Sequence, residues 1–281
     1  MSVTNSSIPG ISSNIFFIRT NLPVTGYLIV DLPSNDITLS RSEPAGFVDT
    51  QRVNSERVCV LCGWTGSRFG PYGQSERSDA RCPSCDAKER HRLLWVYLHK
   101  EMLLANVKRL LSFSPVLGLR EKLNSEIPAL TLSSDPAFEG VDIRTDMVRL
   151  PFNDRSFDAI VCSHVLEHIS DESTALSELR RVLHDHGWCL IMVPQNRGLD
   201  TTYEDDTITS SHGREKAFGQ SNHVRWYGAD FAGRIEAAGF NVRVIDYASK
   251  LDEKTVKTYG LVEKDEWIHD QTLLFYCQPI Q

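Results

Sequence analysis

The 281-residue sequence lacks any apolar run near the ~18 residues that a membrane-spanning helix needs. The short apolar stretch at 15–18 is too brief for a signal peptide and has no basic flank. A basic balance is also missing, because 30 Lys and Arg stand against 37 Asp and Glu, a net charge of −7. Since binding to a nucleic-acid backbone needs a concentrated basic face, the charge argues against that partner. We expect a cytoplasmic protein without a membrane partner.

The remaining composition is that of a globular protein. With 41% apolar residues, the chain can bury a large core, arranged as one large domain with an appendage or as two domains. Residues 1–57 are rich in Ser, Thr, Asn and Pro, with a short apolar stretch at 27–30. They predict a poorly ordered extension, or a strand or two packing on the main body.

Two cysteine pairs, Cys59-x-x-Cys62 and Cys82-x-x-Cys85, are separated by 19 residues, within a module at 58–88. This spacing is typical of two turns that close a tetrahedral zinc site. Gly63 can adopt the positive φ that such a turn needs. Redox-active pairs are the rival interpretation, although a cytosolic setting disfavours disulfides. Four thiolates leave no open position, so we expect structural Zn²⁺.

Apolar runs and helical spacing predict alternating strands and helices after the module. Ser170 and Asp171 are candidate caps for one helix, and Gly187 is expected to end it. The pattern predicts an α/β fold, a mostly parallel Rossmann-like sheet with helices on both faces. The predicted strands are 107–113, 129–132, 141–145, 157–162, 188–193, 242–247 and 272–277, and the predicted helices include 88–104, 121–127 and 230–238.

Residues 149–196 carry a set of motifs: LPF before a strand that starts Phe157-Asp158, then VLEH, and then a helix ending in RVL before a glycine. This segment resembles the second half of class I S-adenosylmethionine-dependent methyltransferases. The paired cysteine motifs and Glu89-Arg90-His91-Arg92 resemble a subgroup with an N-terminal zinc-ribbon-like module. The resemblance implies a methyltransferase domain at 89–281, S-adenosyl-L-methionine as cofactor and an antiparallel last strand.

The family binds its cofactor at the turn after the first strand, which here contains Ser114 and a single glycine, Gly118. Asp135 follows the second strand, where a carboxylate can accept both ribose hydroxyls of a nucleoside cofactor. The resemblance also implies that Asp146 accepts from the adenine amino group, beside Met147. Alternatively, Asp135 caps a turn and Asp146 is a solvated loop acid.

No acid follows the first strand, so another group must bind the amino-acid end of the cofactor. Arg90 and Arg92 are candidates, because a guanidinium binds a carboxylate through two parallel hydrogen bonds. A solvated basic helix face is the alternative.

Chemistry is expected at the end of the fourth strand, at Ser163 and His164, beside the methyl group. His164 is a candidate base or positioning group. Glu167 and His168 are expected only to cap the turn.

A polar insertion at about 199–228 predicts a substrate lid or, alternatively, a solvated loop. Within it, His223 is the first candidate for the general base, Glu204 the second, and Arg225 an anchor for an anionic acceptor.

We therefore expect transfer of a methyl group to an oxygen or nitrogen of a small or carrier-bound metabolite, without metal participation in the transfer. One alternative is an RNA or protein methyltransferase that uses the zinc module to hold a macromolecule. Another is a non-catalytic cofactor-binding scaffold, which the glycine-poor turn suggests.

Overall fold

The computed structural model describes residues 15–19, 27–31, 57–73, 77–127, 130–135, 141–262, 269–270 and 272–281. The strands are β1 Ile15–Arg19, β2 Tyr27–Asp31, β3 Arg57–Val58, β4 Thr65–Gly66, β5 Gly70–Tyr72, β6 Arg77–Arg81, β7 Arg109–Phe113, β8 Leu130–Ser134, β9 Phe157–Ser163, β10 Leu183–Met192, β11 Gln195–Asn196, β12 Tyr203–Glu204, β13 Arg225–Trp226, β14 Phe240–Ile245, β15 His269–Asp270 and β16 Leu274–Pro279. The helices are α1 Glu89–Lys100, α2 Leu117–Glu126, α3 Glu172–Val182, α4 Ser211–Phe218, α5 Phe231–Ala237 and α6 Glu253–Tyr259.

A six-stranded sheet in the order β14-β16-β10-β9-β7-β8 forms the centre of the fold. Strands β8, β7, β9 and β10 are parallel, whereas β16 runs antiparallel to both β10 and β14. The predicted α/β class, the mostly parallel sheet and the antiparallel last strand are confirmed. The third predicted strand, 141–145, is reduced to one parallel bridge between Ile143 and Ser134.

Side chains alternate between the two faces of the sheet, because successive residues of a strand point to opposite sides. One buried cluster contains Ala159 and Val161 of β9 together with Leu94 of α1. The other contains Ile160 of β9 and Leu176 of α3. Both faces are therefore covered, which explains why β9 is a nearly continuous apolar run.

Helix α3 begins at the predicted cap, where the Asp171 side chain accepts from the Thr174 N–H. The prediction that Gly187 ends this helix is wrong: α3 ends at Val182, and Gly187 lies within β10. A Cβ at Gly187 would lie 2.7 Å from the Asp158 carbonyl oxygen, so the glycine allows close approach of neighbouring backbone.

The insertion after β10 is more regular than the polar sequence predicts. Strands β12 and β13 pair antiparallel, and α4 lies between them in sequence. Near the N-terminus β1 and β2 form an antiparallel pair, and the rest of the extension predicted at 1–57 lies almost wholly outside the described residues. In the described part of the chain, no helix has the length and apolar character needed to cross a bilayer.

Candidate functional site

The four cysteines of the two Cys-x-x-Cys pairs converge at one point, as their spacing predicts. The Sγ atoms of Cys59 and Cys85 are 3.6 Å apart, as are those of Cys62 and Cys82, and all four lie within 4.8 Å of one another. Tetrahedral zinc with bonds of about 2.3 Å would place sulfurs about 3.8 Å apart. The closest contacts link one pair to the other rather than the two members of a pair, so the geometry fits a four-thiolate metal site better than two redox pairs.

The turns that carry these cysteines follow from local backbone conformation. Gly63 has the expected positive φ, 76°, and Asp86 has a φ of 62° after the second pair. The Gly63 N–H donates to the Cys59 carbonyl at 2.8 Å, and the Asp86 N–H donates to the Cys82 carbonyl at 3.0 Å. The hydrogen bond with the Cys85 thiol lowers the pKa of Cys59 to about 5, and the same contact raises the pKa of Cys85. One sulfur of this pair is therefore a thiolate, and the other would lose its proton when a metal binds.

Gly118 lies in a close contact that the sequence does not predict. A Cβ at this position would lie 2.8 Å from the Cys85 Sγ and 2.9 Å from the Cys85 Cβ. Because the cysteine cluster packs directly against the start of α2, the residue there must lack a side chain. This contact gives a structural reason for glycine at position 118, and its role in cofactor binding stays a prediction.

Arg92 is not available to a cofactor carboxylate. This corrects the prediction that its guanidinium binds the amino-acid end of the cofactor. Its side chain is fully buried and donates to four backbone carbonyls at 2.6 to 2.9 Å. The guanidinium carbon lies 3.8 Å from the centre of the Phe69 ring. The carbonyls belong to Ala80, Ala87, Tyr259 and Gly260, so Arg92 joins the cysteine module to the region around α6.

Ser114 and Asp135 meet at the carboxyl edge of the sheet, as predicted for cofactor binding. The Ser114 hydroxyl donates to the Asp135 carboxylate at 2.5 Å. Ser114 has a φ of 47°, and its N–H donates to the Ser134 carbonyl at 2.8 Å. Ser163 follows directly on the Phe113–Cys162 pair of neighbouring β7 and β9, so it lies at the same edge.

This edge suits part of a nucleoside cofactor. Asp135 is a half-buried carboxylate at the end of a parallel strand, which is the kind of acceptor, and the place, that ribose hydroxyls require. Asp146 lies in an exposed turn and accepts from the Val148 N–H at 3.2 Å. Met147 is only 3% exposed and packs in the core, so it offers little surface to an adenine ring, contrary to the prediction.

Beyond β9, His164 and Glu167 form a contact that the sequence analysis missed. Nδ1 of His164 lies 3.3 Å from a carboxylate oxygen of Glu167, and His164 has a φ of 57°. Glu167 is 1% exposed, so it does more than cap the turn. Burial alone would raise the pKa of Glu167, but the hydrogen bond with His164 and the nearby charges of His168 and His223 lower it.

His223 lies in the same cluster rather than on an open lid. The ring is 2% exposed, and Nδ1 lies 3.1 Å from the Phe218 carbonyl oxygen. Burial lowers the pKa of His223 although the charge of Glu167 opposes it. Ligand atoms of Glu167, His168 and His223 all lie within 4.8 Å of one another. In the sequence, the spacing His164-x-x-Glu167-His168 is the pattern that indicates such a cluster.

The other two residues predicted in the insertion stabilise its structure. Arg225 donates to Glu204 at 2.9 Å and to three carbonyl oxygens, so its guanidinium is not available to anchor an acceptor. Partial burial raises the pKa of Glu204, but Arg225 and Arg234 outweigh it and lower that pKa. A paired carboxylate with a lowered pKa is a poor general base near neutral pH, which corrects the prediction for Glu204.

The chain is similar in sequence to known methyltransferase domains. Residues 120–191 match the family model described as "Methyltransferase domain". The chain is 28% identical over 148 residues to the arginine-hydroxylase NDUFAF5, mitochondrial, of Danio rerio, which covers 52% of this chain and 40% of that protein. It is 31% identical over 109 residues to demethylmenaquinone methyltransferase of Mycobacterium sp. (strain KMS), covering 34% of this chain and 47% of that protein. The chain therefore spans less than half the length of these curated relatives.

Among solved structures, the [4+2]-cyclase SpnF superposes with a TM-score of 0.47 at 16% identity, covering 76% of this chain and 88% of that one. An S-adenosylmethionine-dependent methyltransferase from Mesorhizobium loti superposes with a TM-score of 0.46 at 14% identity, covering 66% and 97%. Both scores are below 0.5, so the assignment rests on the family match, the strand order and the motifs. On these grounds, residues 120–191 match the methyltransferase-domain family, and the sheet around them has the strand order of a class I methyltransferase-like fold.

Proposed function

We propose that this protein transfers a methyl group from S-adenosylmethionine to an oxygen or nitrogen of a small or carrier-bound metabolite. When bound, the cofactor supplies an electrophilic methyl group. The contact between Ser114 and Asp135 carries the proposal, because it places a half-buried carboxylate at the carboxyl edge of the parallel sheet. There the Asp135 carboxylate would accept the ribose hydroxyls. The relative named demethylmenaquinone methyltransferase supports a metabolite acceptor.

His164 is the predicted base that remains at the end of β9. In the proposed reaction it takes the proton that the acceptor O–H or N–H gives up as the new bond to the methyl carbon forms. Glu167 would hold His164 in place through Nδ1.

The four cysteines complete the proposal as a structural zinc site. All four sulfurs are needed as ligands, so no position is left for a substrate. We further propose the domain boundaries predicted from sequence: an extension at 1–57, the cysteine module at 58–88 and the methyltransferase domain at 89–281. We also propose that the protein is located in the cytoplasm. The NDUFAF5 relatives, by contrast, carry the word mitochondrial in their names.

A cavity of about 460 Å³ beside the cysteine module bears on the macromolecular alternative. Its lining includes the acids Glu121 and Glu126 together with Lys122. A mixed lining of this kind does not provide the basic path that a nucleic-acid backbone needs. The observation therefore argues against a nucleic-acid acceptor that runs along this cavity.

Calorimetry with S-adenosylmethionine tests the cofactor site directly. We expect Asp135→Ala to weaken binding about tenfold or more, since hydrogen bonds to a charged group are worth about 1.5–3 kcal/mol. Exposed Asp200 provides the control, and Asp200→Ala should bind like the wild type. No binding to the folded wild-type protein would refute the proposal.

Incubation with a methyl-labelled donor and a cell extract tests the transfer. Label in the metabolite fraction is the expected result. Label in RNA or protein would establish the macromolecular alternative, and cofactor binding without any transfer would establish the scaffold. A product that gains one oxygen instead of one methyl group would favour the activity named for NDUFAF5.

A further inference from the structure

We propose that Glu167, His168 and His223 bind a divalent transition-metal ion, in a site separate from the cysteine cluster. Nothing in the methyl-transfer proposal requires this ion. One ligand atom of each residue lies within 4.8 Å of the others, so small side-chain movements would let a single ion with bonds of about 2.1 Å contact all three. Two imidazoles and one carboxylate form a ligand set that suits first-row divalent metals such as Zn²⁺, Fe²⁺ and Co²⁺.

The fold brings these ligands together from two distant parts of the chain. Glu167 and His168 lie in the short 3₁₀ turn that follows β9, whereas His223 lies in the insertion before β13. The backbone N–H of Val224 donates to the Glu167 carbonyl at 2.9 Å, which ties the two segments together beside the site. The ligand positions are therefore fixed by main-chain contacts.

Both histidines are oriented through Nδ1. The His168 Nδ1 lies 3.2 Å from the Asn222 carbonyl oxygen, and the His223 Nδ1 lies 3.1 Å from that of Phe218. A carbonyl oxygen only accepts hydrogen bonds, so each Nδ1 must carry the proton. Each Nε2 then keeps a lone pair. A ring N–H donated to a backbone carbonyl is the usual second-sphere arrangement of metal-binding histidines.

The Glu167 carboxylate indicates a cation independently of the histidine geometry. One of its oxygens faces His164, but the other, Oε2, is fully buried and has no hydrogen-bond partner. Leaving a buried carboxylate oxygen unsatisfied is costly, because it has lost its water and gained no donor. A cation bound between Glu167 and the two histidines would satisfy this oxygen.

The site also has the opening that a reactive metal needs. His168 is exposed, whereas Glu167 and His223 are buried, so the cluster opens toward solvent on one side. Three protein ligands leave a coordination position for water or for an oxygen of a bound molecule. The cluster follows directly on Ser163 and His164. A metal-bound oxygen ligand would therefore lie near the carboxyl edge where the methyl acceptor is proposed to bind.

Cobalt titration of the full chain tests the site. The protein is first dialysed against a chelator, and its zinc content is measured before and after. Co²⁺ is then added while visible absorption is recorded. We expect one Co²⁺ per chain to give ligand-field bands without a thiolate charge-transfer band, because no sulfur is bound. His168→Ala should lose at least tenfold in Co²⁺ affinity, and this exposed substitution should not disturb folding.

Two more variants complete the test. Glu167→Gln keeps the size of the side chain but removes its charge, and it should also weaken Co²⁺ at least tenfold. His212→Ala is the matched control, because His212 is an exposed histidine of the same insertion, and it should bind like the wild type. Equal Co²⁺ affinity in the wild type and in folded His168→Ala would overturn the assignment. Thiolate bands from protein that still holds one zinc per chain in the cysteine site would overturn it as well.

Discussion

Cys85 lies directly against Gly118, so the cysteine module and the start of α2 touch where a single methyl group would collide. A Cβ added at Gly118 would lie 2.8 Å from the Sγ of Cys85. The four clustered cysteines are thus part of the packing of the main domain. Several consequences can be measured.

Gly118→Ala should destabilise the protein by about 1–3 kcal/mol, because the added methyl group overpacks the contact with Cys85. Thermal unfolding gives the stability, and transfer of zinc to a chromogenic chelator gives the effect on the cluster. Gly233→Ala, within helix α5, is the control, since a Cβ there has no neighbour within 4 Å. It should stabilise the helix by up to about 1 kcal/mol. Equal stability for both variants would contradict the packing argument.

If the four cysteines bind zinc as proposed, Cys62→Ser should release it, because one of four ligands is lost while the packing changes little. We expect the free energy of unfolding to fall by about 3 kcal/mol or more, since metal binding to the folded state alone stabilises it. Elemental analysis and chemical denaturation measure the two effects. Cys277→Ala alters a buried thiol in β16, and it should retain full zinc. Zinc retention in Cys62→Ser would show that this thiol is not a ligand.

Arg92→Met should destabilise the protein by about 3 kcal/mol or more, because four buried or partly buried carbonyl contacts lose their donors. Urea unfolding is the measurement. Exposed Arg68→Ala should change stability by less than about 0.5 kcal/mol. If Arg92→Met kept its stability but lost cofactor affinity, the cofactor role predicted from sequence would be restored.

Stability should fall as the pH drops below about 6.5, in part because of His91. Burial and then the charges of Arg90, Lys88, His164 and Arg92 hold the pKa of His91 well below its usual value. The unfolded state therefore binds the proton first, and the folded state loses stability as pH decreases. The neutral Nδ1 of His91 also accepts from the Lys88 N–H at 3.1 Å, which protonation would prevent.

Urea midpoints between pH 7.5 and 5 measure this slope. His91→Asn should reduce it, whereas exposed His212→Asn should leave it as in the wild type. An unchanged slope in folded His91→Asn would assign the pH dependence to other groups.

The sequence predicts the parallel sheet well, because strands buried on both faces must be apolar. The run from Phe157 to Cys162 is an example, and β9 occupies it almost completely. The convergence of the four cysteines is predicted equally well, since two Cys-x-x-Cys pairs at this separation are typical of one shared site. The segment at 141–145 is different: its short apolar pattern predicts a strand, but only one bridge forms there, at Ile143.

The errors at the site have a common physical origin. Arg92 binds the carbonyl of Tyr259, 167 positions away in sequence, and nothing local distinguishes that role from a cofactor contact. The sequence around Gly118 predicts a loop glycine, and it gives no sign that Cys85 of a separate module packs against this position. Roles that depend on contacts between distant segments leave no trace in local spacing. The cofactor roles of Ser114, Asp135, Asp146 and Ser163 remain predictions.

The position of β16 between β10 and β14 has a consequence for synthesis on the ribosome. Strand β14 is translated first, but it has no place in the sheet until β16 has emerged and paired with β10. Until then a nascent chain exposes one edge of β10, which is a template for unwanted pairing. Protection of that edge by a chaperone would therefore matter most in the interval between translation of β10 and release of residues 274–279.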